Sequence, residues 1–262
     1  MHWILQEHLF GEREWANLIG TLERFELPYS VHKVIPFVGE LIPPPAPADG
    51  KVICFGSYSL RHTARRFGWR PGVYDLEDAD FAVQRAHWGR HMLNAAAIVT
   101  RFADARFPSP ERYFVRPVRD SKVFTGYVVE DQAAFYAWQQ RVCALDADPG
   151  SSLTGDTLVQ VAPVRQLYTE VRLWVVAGRL VTASQYKLGS RVAYAEVPRD
   201  GSLWEYAEAR VAEWQPLPAF CLDVAETDDG PAIVEINTIN AAGLYAADIQ
   251  RLVMALEELE AD

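Results

Sequence analysis

Two β-hairpins in the second half of the chain constrain its fold more than any other feature of the sequence. Each consists of two apolar segments around a turn that contains glycine, and the strand candidates are residues 168–177 and 180–188, then 219–225 and 231–237. Apolar segments that flank a short glycine turn are typical of neighbouring antiparallel strands. A sheet built only from parallel strands and crossover helices is therefore excluded, and the chain is predicted to be mixed α/β.

The first 75 residues follow a different pattern, that of an α/β segment. Residues 3–5 and 29–37 are apolar strand candidates, and between them apolar residues recur at helical spacing through residues 11–26. A further short strand at residues 52–55 runs into Gly56-Ser57 and a predicted helix. A strand, a glycine turn and a helix start suit an anion, but most such turns are only tight connections.

The middle of the chain is predicted to alternate helices with short strands. Helices are expected at residues 79–102, 131–146, 202–213 and at the C-terminal end, and strands at residues 112–118, 122–129 and 157–161. Asp131 is predicted to cap the second helix, because its side chain can accept hydrogen bonds from the first free N–H groups. The closing helix is amphipathic, with Leu252, Val253 and Leu256 on one face.

The net charge of −10, from 35 acidic and 25 basic residues among 262, is concentrated near the C-terminal end. Residues 205–262 hold 13 of the acids but only Arg210 and Arg251 as bases, which leaves 22 acids and 23 bases elsewhere. This balance argues against nucleic-acid binding, which needs a basic surface, and it permits a cation site. The acids of the closing helix are predicted to lie on solvated surface: Glu257, Glu258, Glu260 and Asp262.

The cysteines and the apolar runs bear on the location of the protein. Cys54, Cys143 and Cys221 are odd in number and far apart, so they predict neither a disulfide framework nor a zinc site and favour a reducing compartment. No apolar run approaches the ~18 residues that span a bilayer, and the first residues lack the pattern of a signal peptide. We therefore predict a cytoplasmic protein without a membrane partner.

Motifs for nucleophilic or zinc chemistry are weak or missing. The sequence contains no GxxxxGK[ST], GxGxxG, HExxH or GxSxG motif. Ser184 and Lys187 form an SxxK pattern, but in a predicted strand, where alternation would place the two side chains on opposite faces. His87 and His91 would share a helix face at the spacing of zinc ligands, yet no third ligand is apparent. Neither pair is predicted to be catalytic.

Two carboxylates and an amide mark a candidate metal site in the second hairpin. Glu235 and Asn237 stand two residues apart in the strand AIVEIN, so they share a face, and Asp223 ends the neighbouring strand FCLDV. If the strands pair, these oxygen-bearing side chains lie together, and Mg²⁺ prefers such ligands. The alternative is a set of polar residues on the exposed face of a hairpin.

Basic residues within apolar strands form the second candidate group. These are Arg116 and Lys122 in successive strands, Arg172 two residues after Glu170, Lys187 at the end of the next strand, and Arg191 just beyond it. A cation flanked by apolar residues usually needs an anionic partner. That partner is either a protein carboxylate, such as Glu170 or Glu235, or a polyphosphate.

The order and spacing of these segments resemble those of the ATP-grasp superfamily. The resemblance covers about residues 110–246 and rests on the segments FVRPVRDSKVFTG, LVQVAPV, TEVRLWVVAGRLVTASQYK, FCLDV and IVEINTINAAGLY. The first segment is similar to the subgroup named for two arginines and a lysine. The resemblance implies an α/β (α+β) ATP-grasp fold, in which two α/β subdomains of residues 76–262 grip the nucleotide. A small N-terminal α/β domain of residues 1–75 would precede them.

The resemblance also implies a role for each candidate residue. Arg116 and Lys122 would contact the ATP phosphates, Gln160 and Val161 the adenine, Glu170 the ribose or a neighbouring base, Lys187 both ATP and the reacting groups, Arg172 and Arg191 the reacting groups, and Asp223, Glu235 and Asn237 the Mg²⁺ ion. The chain departs from the family at position 116, where many members have lysine. It also has Cys221 where ligases of the D-alanine type have an arginine, so the acceptor does not follow.

These expectations converge on an ATP-dependent carboxylate–amine ligase that forms an amide bond through an acyl phosphate. The chemistry needs positioning and charge neutralisation rather than a protein nucleophile. Two alternatives stay open, a kinase-like phosphotransferase and an ATP-binding regulatory module without catalysis. The donor would be a small-molecule or peptide carboxylate and the acceptor an amine. Their identity and a homodimeric state do not follow from the sequence.

Overall fold

The structure of the protein, a computed structural model, describes residues 1–7, 13–46, 50–119, 124, 126–145 and 152–261, and for Arg13 it describes the backbone only. Asp262, the last of the predicted surface acids, lies outside the described residues. The chain separates into two compact units. The larger contains Met1–Leu76 and Leu167–Asp262, and the smaller contains Glu77–Gln166. The domain boundary after residue 75 stays a prediction.

Six α-helices and fourteen β-strands occur within the described residues. The helices are α1 (Arg13–Arg24), α2 (Leu60–Phe67), α3 (Phe81–Trp88), α4 (Gln132–Ala144), α5 (Ser202–Glu213) and α6 (Ile249–Leu259). The strands up to residue 166 are β1 (His2–Gln6), β2 (Tyr29–Val34), β3 (Leu41–Ile42), β4 (Val52–Phe55), β5 (Pro71–Gly72), β6 (Ile98–Arg101), β7 (Tyr113–Pro117), β8 (Tyr127–Val129) and β9 (Leu158–Pro163). The remaining strands are β10 (Leu167–Val176), β11 (Arg179–Leu188), β12 (Arg191–Glu196), β13 (Ala219–Thr227) and β14 (Gly230–Asn237). None of the helices in the described part of the chain has both the length and the apolar character that crossing a membrane requires.

The first sheet of the larger unit has the strand order β3-β2-β1-β4-β5. β1 pairs in parallel with β2 and β4, and β4 with β5, whereas β2 and β3 are antiparallel. The predicted β–α–β opening is confirmed, since α1 connects the parallel neighbours β1 and β2. Its apolar face places Leu18 and Leu22 in the same buried cluster as Trp3 and Leu5 of β1.

The second sheet of the larger unit, β12-β11-β10-β13-β14, is antiparallel throughout. Both predicted hairpins are confirmed, since β10 pairs with β11 and β13 with β14. Ala177 and Gly178 in the first turn have φ values of 49° and 71°, the left-handed conformation that tight hairpin turns require. The sequence pattern does not predict β12, because this edge strand is almost entirely exposed and lacks an apolar face to bury.

One hydrophobic cluster joins the two sheets of the larger unit. Trp3 and Phe55 from the first sheet, Trp174 from the second and Leu252 from α6 are all buried in it. Burial of a large apolar side chain contributes about 1.5–3 kcal/mol. The shared cluster therefore explains why two segments distant in the sequence form one compact unit.

The acids of α6 are not all solvated surface, contrary to the prediction. Glu257 accepts a hydrogen bond from Trp3 Nε1 at 2.6 Å, and Glu260 accepts one from Tyr74 OH at 2.7 Å. Both donors belong to buried aromatic side chains, and a buried N–H or O–H needs an acceptor. These two carboxylates therefore connect α6 to the first sheet, whereas Glu258 is exposed as predicted.

The smaller unit contains a four-stranded sheet, β6-β9-β7-β8, with α4 packed on one face. The cluster between the sheet and the helix includes Val115, Val129, Phe135, Val142, Val159 and Val161. Asp131 caps α4 as predicted, because its side chain accepts a hydrogen bond from Ala133 N at 2.8 Å. The sheet therefore turns one face to its helix, and residues of the other face are available for a site.

The predicted helix over residues 79–102 is confirmed only as far as α3. This helix begins after its cap Asp80 and ends at Gly89, whose φ is 49°. Glycine adopts that conformation without the strain that a Cβ introduces. The following β6 carries Ile, Val and Thr, which fit a pleated strand better than a helix. His87 and His91 consequently do not share a helix face.

Candidate functional site

The candidate metal ligands come together on one face of the antiparallel sheet. Asp223 on β13 lies directly opposite Glu235 on β14 and opposite Arg172 on β10. Residues that oppose each other in antiparallel strands point to the same face. The Asn237 amide is there as well, since its Nδ2 donates to Asp223 Oδ2 at 3.1 Å and to Glu235 Oε1 at 3.2 Å. The structure thus brings the three predicted ligands within hydrogen-bond distance.

Arg172 and Asp223 form a bidentate ion pair inside the protein. Arg172 Nε donates to Asp223 Oδ1 at 2.8 Å, and Nη2 donates to Oδ2 at 2.7 Å. Only 7% of Arg172 and 1% of Asp223 is exposed, so loss of either partner would leave a buried charge uncompensated. Arg172 therefore has a protein carboxylate as its partner, but that carboxylate is neither Glu170 nor Glu235, the two that the sequence suggested.

The electrostatics of this pair favour a further cation. Burial raises the pKa of the Asp223 carboxyl above its ordinary value, and the Arg172 charge opposes that shift. The neighbouring charges of Glu235 and Glu170 raise the pKa of Asp223 further. Three carboxylates thus share one guanidinium on this face, and a bound divalent ion would relieve the repulsion among them.

The donor set suits a magnesium ion. Mg²⁺ is usually held by one or two carboxylates together with phosphate oxygens and water, and Asp223 with Glu235 supplies the two carboxylates. Among the described residues, no group of three or more His, Cys, Asp or Glu side chains is arranged as a metal site. The set therefore depends on Asn237 as its third member, and its role in metal binding stays a prediction.

A β-bulge in β11 places Tyr186 and Lys187 together on Glu170. Lys187 pairs with Glu170 and Gln185 with Val171, which leaves Tyr186 as the extra residue. Lys187 Nζ donates to Glu170 Oε1 and Tyr186 OH donates to Glu170 Oε2, both at 2.9 Å. Bulges re-aim side chains and are common beside active sites. Here the bulge turns two consecutive residues toward one carboxylate.

The same bulge overturns the predicted alternation of the SxxK residues. Ser184 lies opposite Arg172 and Lys187 opposite Glu170, so both are on the candidate face instead of on opposite faces. Ser184 is fully buried, accepts a hydrogen bond from Ala246 N at 3.0 Å and donates one to a backbone carbonyl at 2.8 Å. These bonds make Ser184 a structural residue, as the absence of companion motifs suggested.

Three stacked tyrosines border the ion pair, and the sequence patterns do not single them out. The ring of Tyr245 lies 5.4 Å from that of Tyr186 and 5.0 Å from that of Tyr194, with interplanar angles of 24° and 29°. Arg172 Cζ lies 5.6 Å from the Tyr186 centroid and 5.3 Å from the Tyr245 centroid, within the range of cation–π contacts. Tyr245 has a φ of 51°, which is strained for a bulky residue. The one available signal was its position at the end of the loop NAAGLY, after the candidate metal strand.

Arg191 is not brought to this group. It pairs with Leu188 across β11 and β12, whereas Lys187 pairs with Val192. Successive pairs alternate between the two faces of a sheet, so Arg191 occupies a position on the face opposite to that of Lys187. Its catalytic role stays a prediction without support from the geometry.

In the smaller unit, Arg116 on β7 lies directly opposite Gln160 on β9. Gln160 is 3% exposed, and its Oε1 accepts no hydrogen bond from a described residue. An unsatisfied buried acceptor costs about 1–3 kcal/mol, which a donor on a ligand would recover. Val161 instead packs into the cluster beneath α4, so its side chain is unavailable to a ligand. Lys122, the other predicted phosphate ligand, lies outside the described residues.

Comparisons with solved structures agree on the fold. The chain is similar to a RimK domain protein ATP-grasp from Sphaerobacter thermophilus, with a TM-score of 0.61 and 17% identity over 92% of both chains. It is similar to D-alanine–D-alanine ligase from Bacillus anthracis complexed with ATP, with a TM-score of 0.66 and 12% identity over 99% of this chain and 96% of that one. The ATP-grasp ligase PsnB complexed with minimal precursor gives a TM-score of 0.55 and 12% identity over 98% and 99% of the two chains. At these identities the matches establish the fold, and the predicted ATP-grasp fold is confirmed.

Sequence comparison identifies the family. No curated protein matches the chain. Residues 48–256 match a family of ATP-grasp domains, the third family of the clade named for two arginines and a lysine. This range is most of the chain, and it contains every candidate residue from Arg116 to Asn237. The chain therefore belongs to family 3 of this two-arginine, one-lysine clade of ATP-grasp domains.

Proposed function

We propose that this protein is an ATP-dependent ligase that joins a carboxylate to an amine. The observation that carries the proposal is the face on which Asp223, Glu235 and Asn237 lie beside Arg172, with Lys187 on the same face. Such a face combines negative charge for a metal ion with positive charge for phosphate or carboxylate groups. Membership of the ATP-grasp family supports ATP as the nucleotide.

The proposed reaction has two steps. A carboxylate oxygen of the donor attacks the γ-phosphorus of ATP, the bond to the bridging oxygen breaks, and ADP leaves an acyl phosphate on the donor. The amine nitrogen then attacks the acyl carbon, inorganic phosphate departs, and the nitrogen loses a proton to give the amide. Positioning and charge neutralisation suffice for both steps, which suits a face whose serine, Ser184, is buried and hydrogen-bonded.

In this proposal each residue of the face has one task. Asp223, Glu235 and Asn237 would hold Mg²⁺, which neutralises phosphate charge when it is bound. Lys187 is held at its base by Glu170, yet 44% of its side chain is exposed, so its ammonium can meet an incoming anion. Arg172 keeps the Asp223 carboxylate in one plane and supplies a second positive charge next to it.

For the smaller unit we propose the nucleotide contacts that the sequence predicts. Arg116 and Lys122 would bind phosphate oxygens, and Gln160 and Val161 would contact the adenine. The unsatisfied Oε1 of Gln160 supports this assignment, because the exocyclic amine of adenine is a donor that this oxygen could accept.

The substrates and the compartment are proposed only by class. The donor is a small-molecule or peptide carboxylate and the acceptor an amine, a range supported by similarity to a D-alanine–D-alanine ligase and to a ligase crystallised with a precursor. Cys54, Cys143 and Cys221 are free thiols, which supports the cytoplasmic location that we propose.

The proposal is tested by measuring ADP release from ATP and Mg²⁺ in the presence of pooled carboxylates and amines, with mass spectrometry of the products. We expect ADP and phosphate together with a product whose mass equals the donor plus the acceptor minus water. The Glu235→Gln variant, assayed in parallel, should form neither. ADP with a phosphorylated product would support the kinase-like alternative, and ATP binding without turnover would support a regulatory module.

A further inference from the structure

An arginine-lined pocket of about 130 Å³ lies at the C-terminal end of α2, in the larger unit. Arg61, Arg65 and Arg70 line it, and Asp75 is the carboxylate among its lining residues. Three positive charges and one negative charge leave the lining with a formal charge of +2, in a chain whose net charge is −10. The pocket is thus a local positive site on an acidic protein.

Two of the three arginines have no carboxylate partner within the described part of the chain. Arg65 pairs with Asp75, and Arg66 of the same helix pairs with Glu40 at 3.3 Å. Arg61 and Arg70 form no ion pair with a described residue. Arg61 and Arg65 are also one helical turn apart, a spacing at which like charges destabilise a helix. The arrangement costs stability unless an anion joins it.

The guanidinium groups are held in place before any ligand binds. Arg61 Nη1 donates to the Tyr58 carbonyl oxygen at 3.1 Å, and its Cζ lies 4.1 Å from the centroid of the Tyr58 ring. The Tyr58 hydroxyl and Arg65 both donate to Asp75. One tyrosine and one carboxylate therefore position two arginines on the same pocket. Less side-chain entropy is lost when a ligand finds its donors already ordered.

The remaining wall narrows the class of ligand. Trp69 and Val73 line the pocket beside the arginines, so a bound group meets apolar surface as well as charge. Arginine forks bind carboxylates through two parallel hydrogen bonds, and an apolar wall favours an anion that is carried on a hydrocarbon chain over a bare inorganic ion. We propose that this pocket binds an aliphatic carboxylate, supplied by a free dicarboxylic acid or by a glutamate side chain of an acidic peptide.

The pocket is separate from the candidate ligase face. The Gly56 amide, just before the N-terminal end of α2, donates to Asn240 O, three residues after the candidate metal ligand Asn237. The pocket lies at the other end of α2, around Gly68 and Arg70. Its ligand is therefore a second carboxylate rather than the reacting one, and the proposal stands whether or not the protein is a ligase.

Calorimetric titration of the full chain with glutarate, and separately with an acetylated triglutamate peptide, tests the proposal. Sodium chloride at matched ionic strength is the blank, and inorganic phosphate is the comparison anion. We expect the wild type to bind at least one carboxylate probe. Arg61→Gln and Arg70→Gln should each weaken that binding about tenfold or more, because each removes a charge-assisted hydrogen bond. Binding of glutarate indicates a small-molecule ligand, and binding of the peptide alone indicates an acidic segment.

The matched control is Arg66→Gln, which removes the same charge from the same helix but from outside the pocket. It should change the affinity less than twofold. Equal losses in all three variants would show a general charge effect and overturn the proposal, as would a wild type that binds neither probe above the chloride blank. Phosphate binding as tight as glutarate binding would overturn the carboxylate assignment. Circular dichroism and thermal melts of each variant ensure that affinities are compared between folded proteins.

Discussion

Residues of the candidate face differ in how far the fold depends on them. Asp223 is buried and binds Arg172 through both of its oxygens. Glu235 is half-buried, and its Oε1 accepts a hydrogen bond from the Asn237 amide. Substitution of the first should therefore affect stability, and substitution of the second should affect chemistry, although both belong to the proposed metal site.

Glu235→Gln should abolish turnover without unfolding the protein. The variant keeps the shape of the side chain and removes a negative charge that raises the pKa of Asp223, so the nucleotide-free protein should melt at the wild-type temperature or slightly above it. ADP production should fall about a hundredfold or more, because a metal ion supplies several kcal/mol of charge stabilisation in the transition state. A melting curve without nucleotide and an ADP assay measure the two effects.

Glu226→Gln is the matched control for that substitution. Glu226 is exposed on β13 of the same hairpin, so its loss removes an equal charge away from the candidate ligands. We expect activity and stability close to the wild type. A large fall in melting temperature for Glu235→Gln, with ADP production intact in the folded protein, would show that Glu235 is structural and that the magnesium assignment is wrong.

Asp223→Leu should destabilise the protein by about 3–5 kcal/mol, because it leaves the buried Arg172 charge without its partner. The double variant Arg172→Met/Asp223→Leu removes both charges and should recover most of that loss, since a hydrophobic pair of similar volume often replaces a buried ion pair without cost. Urea unfolding of the single and double variants measures the coupling. Additive losses in the double variant would contradict the pairing.

At the level of elements, a buried asparagine ties the candidate metal strand to the first sheet. Asn240 follows β14, is 3% exposed, and donates from Nδ2 to Cys54 O of β4 at 2.7 Å. Its Oδ1 accepts from Tyr74 N at 2.8 Å. One side chain thus satisfies backbone groups of two separate segments, and the loop after β14 is anchored where those segments meet.

Asn240→Ala should cost about 2–6 kcal/mol, because it leaves Cys54 O and Tyr74 N as buried groups without these partners, at about 1–3 kcal/mol each. Chemical unfolding measures the change. Asn17→Ala is the control, since Asn17 lies exposed on α1 and its replacement should stay within about 0.5 kcal/mol of the wild type. Equal stabilities for the two variants would mean that the anchor is dispensable.

At the scale of the whole molecule, ATP with Mg²⁺ should stabilise the folded chain. A ligand at 100 times its Kd adds about 2.7 kcal/mol, which corresponds to a rise of several degrees in Tm for a protein of this size. ATP without the metal should stabilise less, and Mg²⁺ alone little or not at all. In Glu235→Gln the extra effect of Mg²⁺ should disappear while the effect of ATP alone remains. A thermal shift assay with these combinations is the measurement, and no shift under any of them would contradict nucleotide binding.

The sequence by itself determined the features that depend on neighbours along the chain. The two hairpins, the cap at Asp131 and the shared face of Glu235 and Asn237 follow from turn chemistry, capping and a period of two, and the structure confirms these elements. The order of these segments was also enough to identify the ATP-grasp family. Local rules failed where a single residue changed the pattern, as at Gly89, which ends α3 within the predicted longer helix.

Only the tertiary structure decided which distant residues meet. Arg172 and Asp223 are 51 positions apart, and several carboxylates could have served as the partner until the register of β10 and β13 selected one. The bulge at Tyr186 adds one residue to β11, so counting by twos assigned Lys187 to the wrong face. Burial, strand register and the strained backbone of Tyr245 arise from packing between segments far apart in the chain, and a local pattern carries no information about which of those segments will meet.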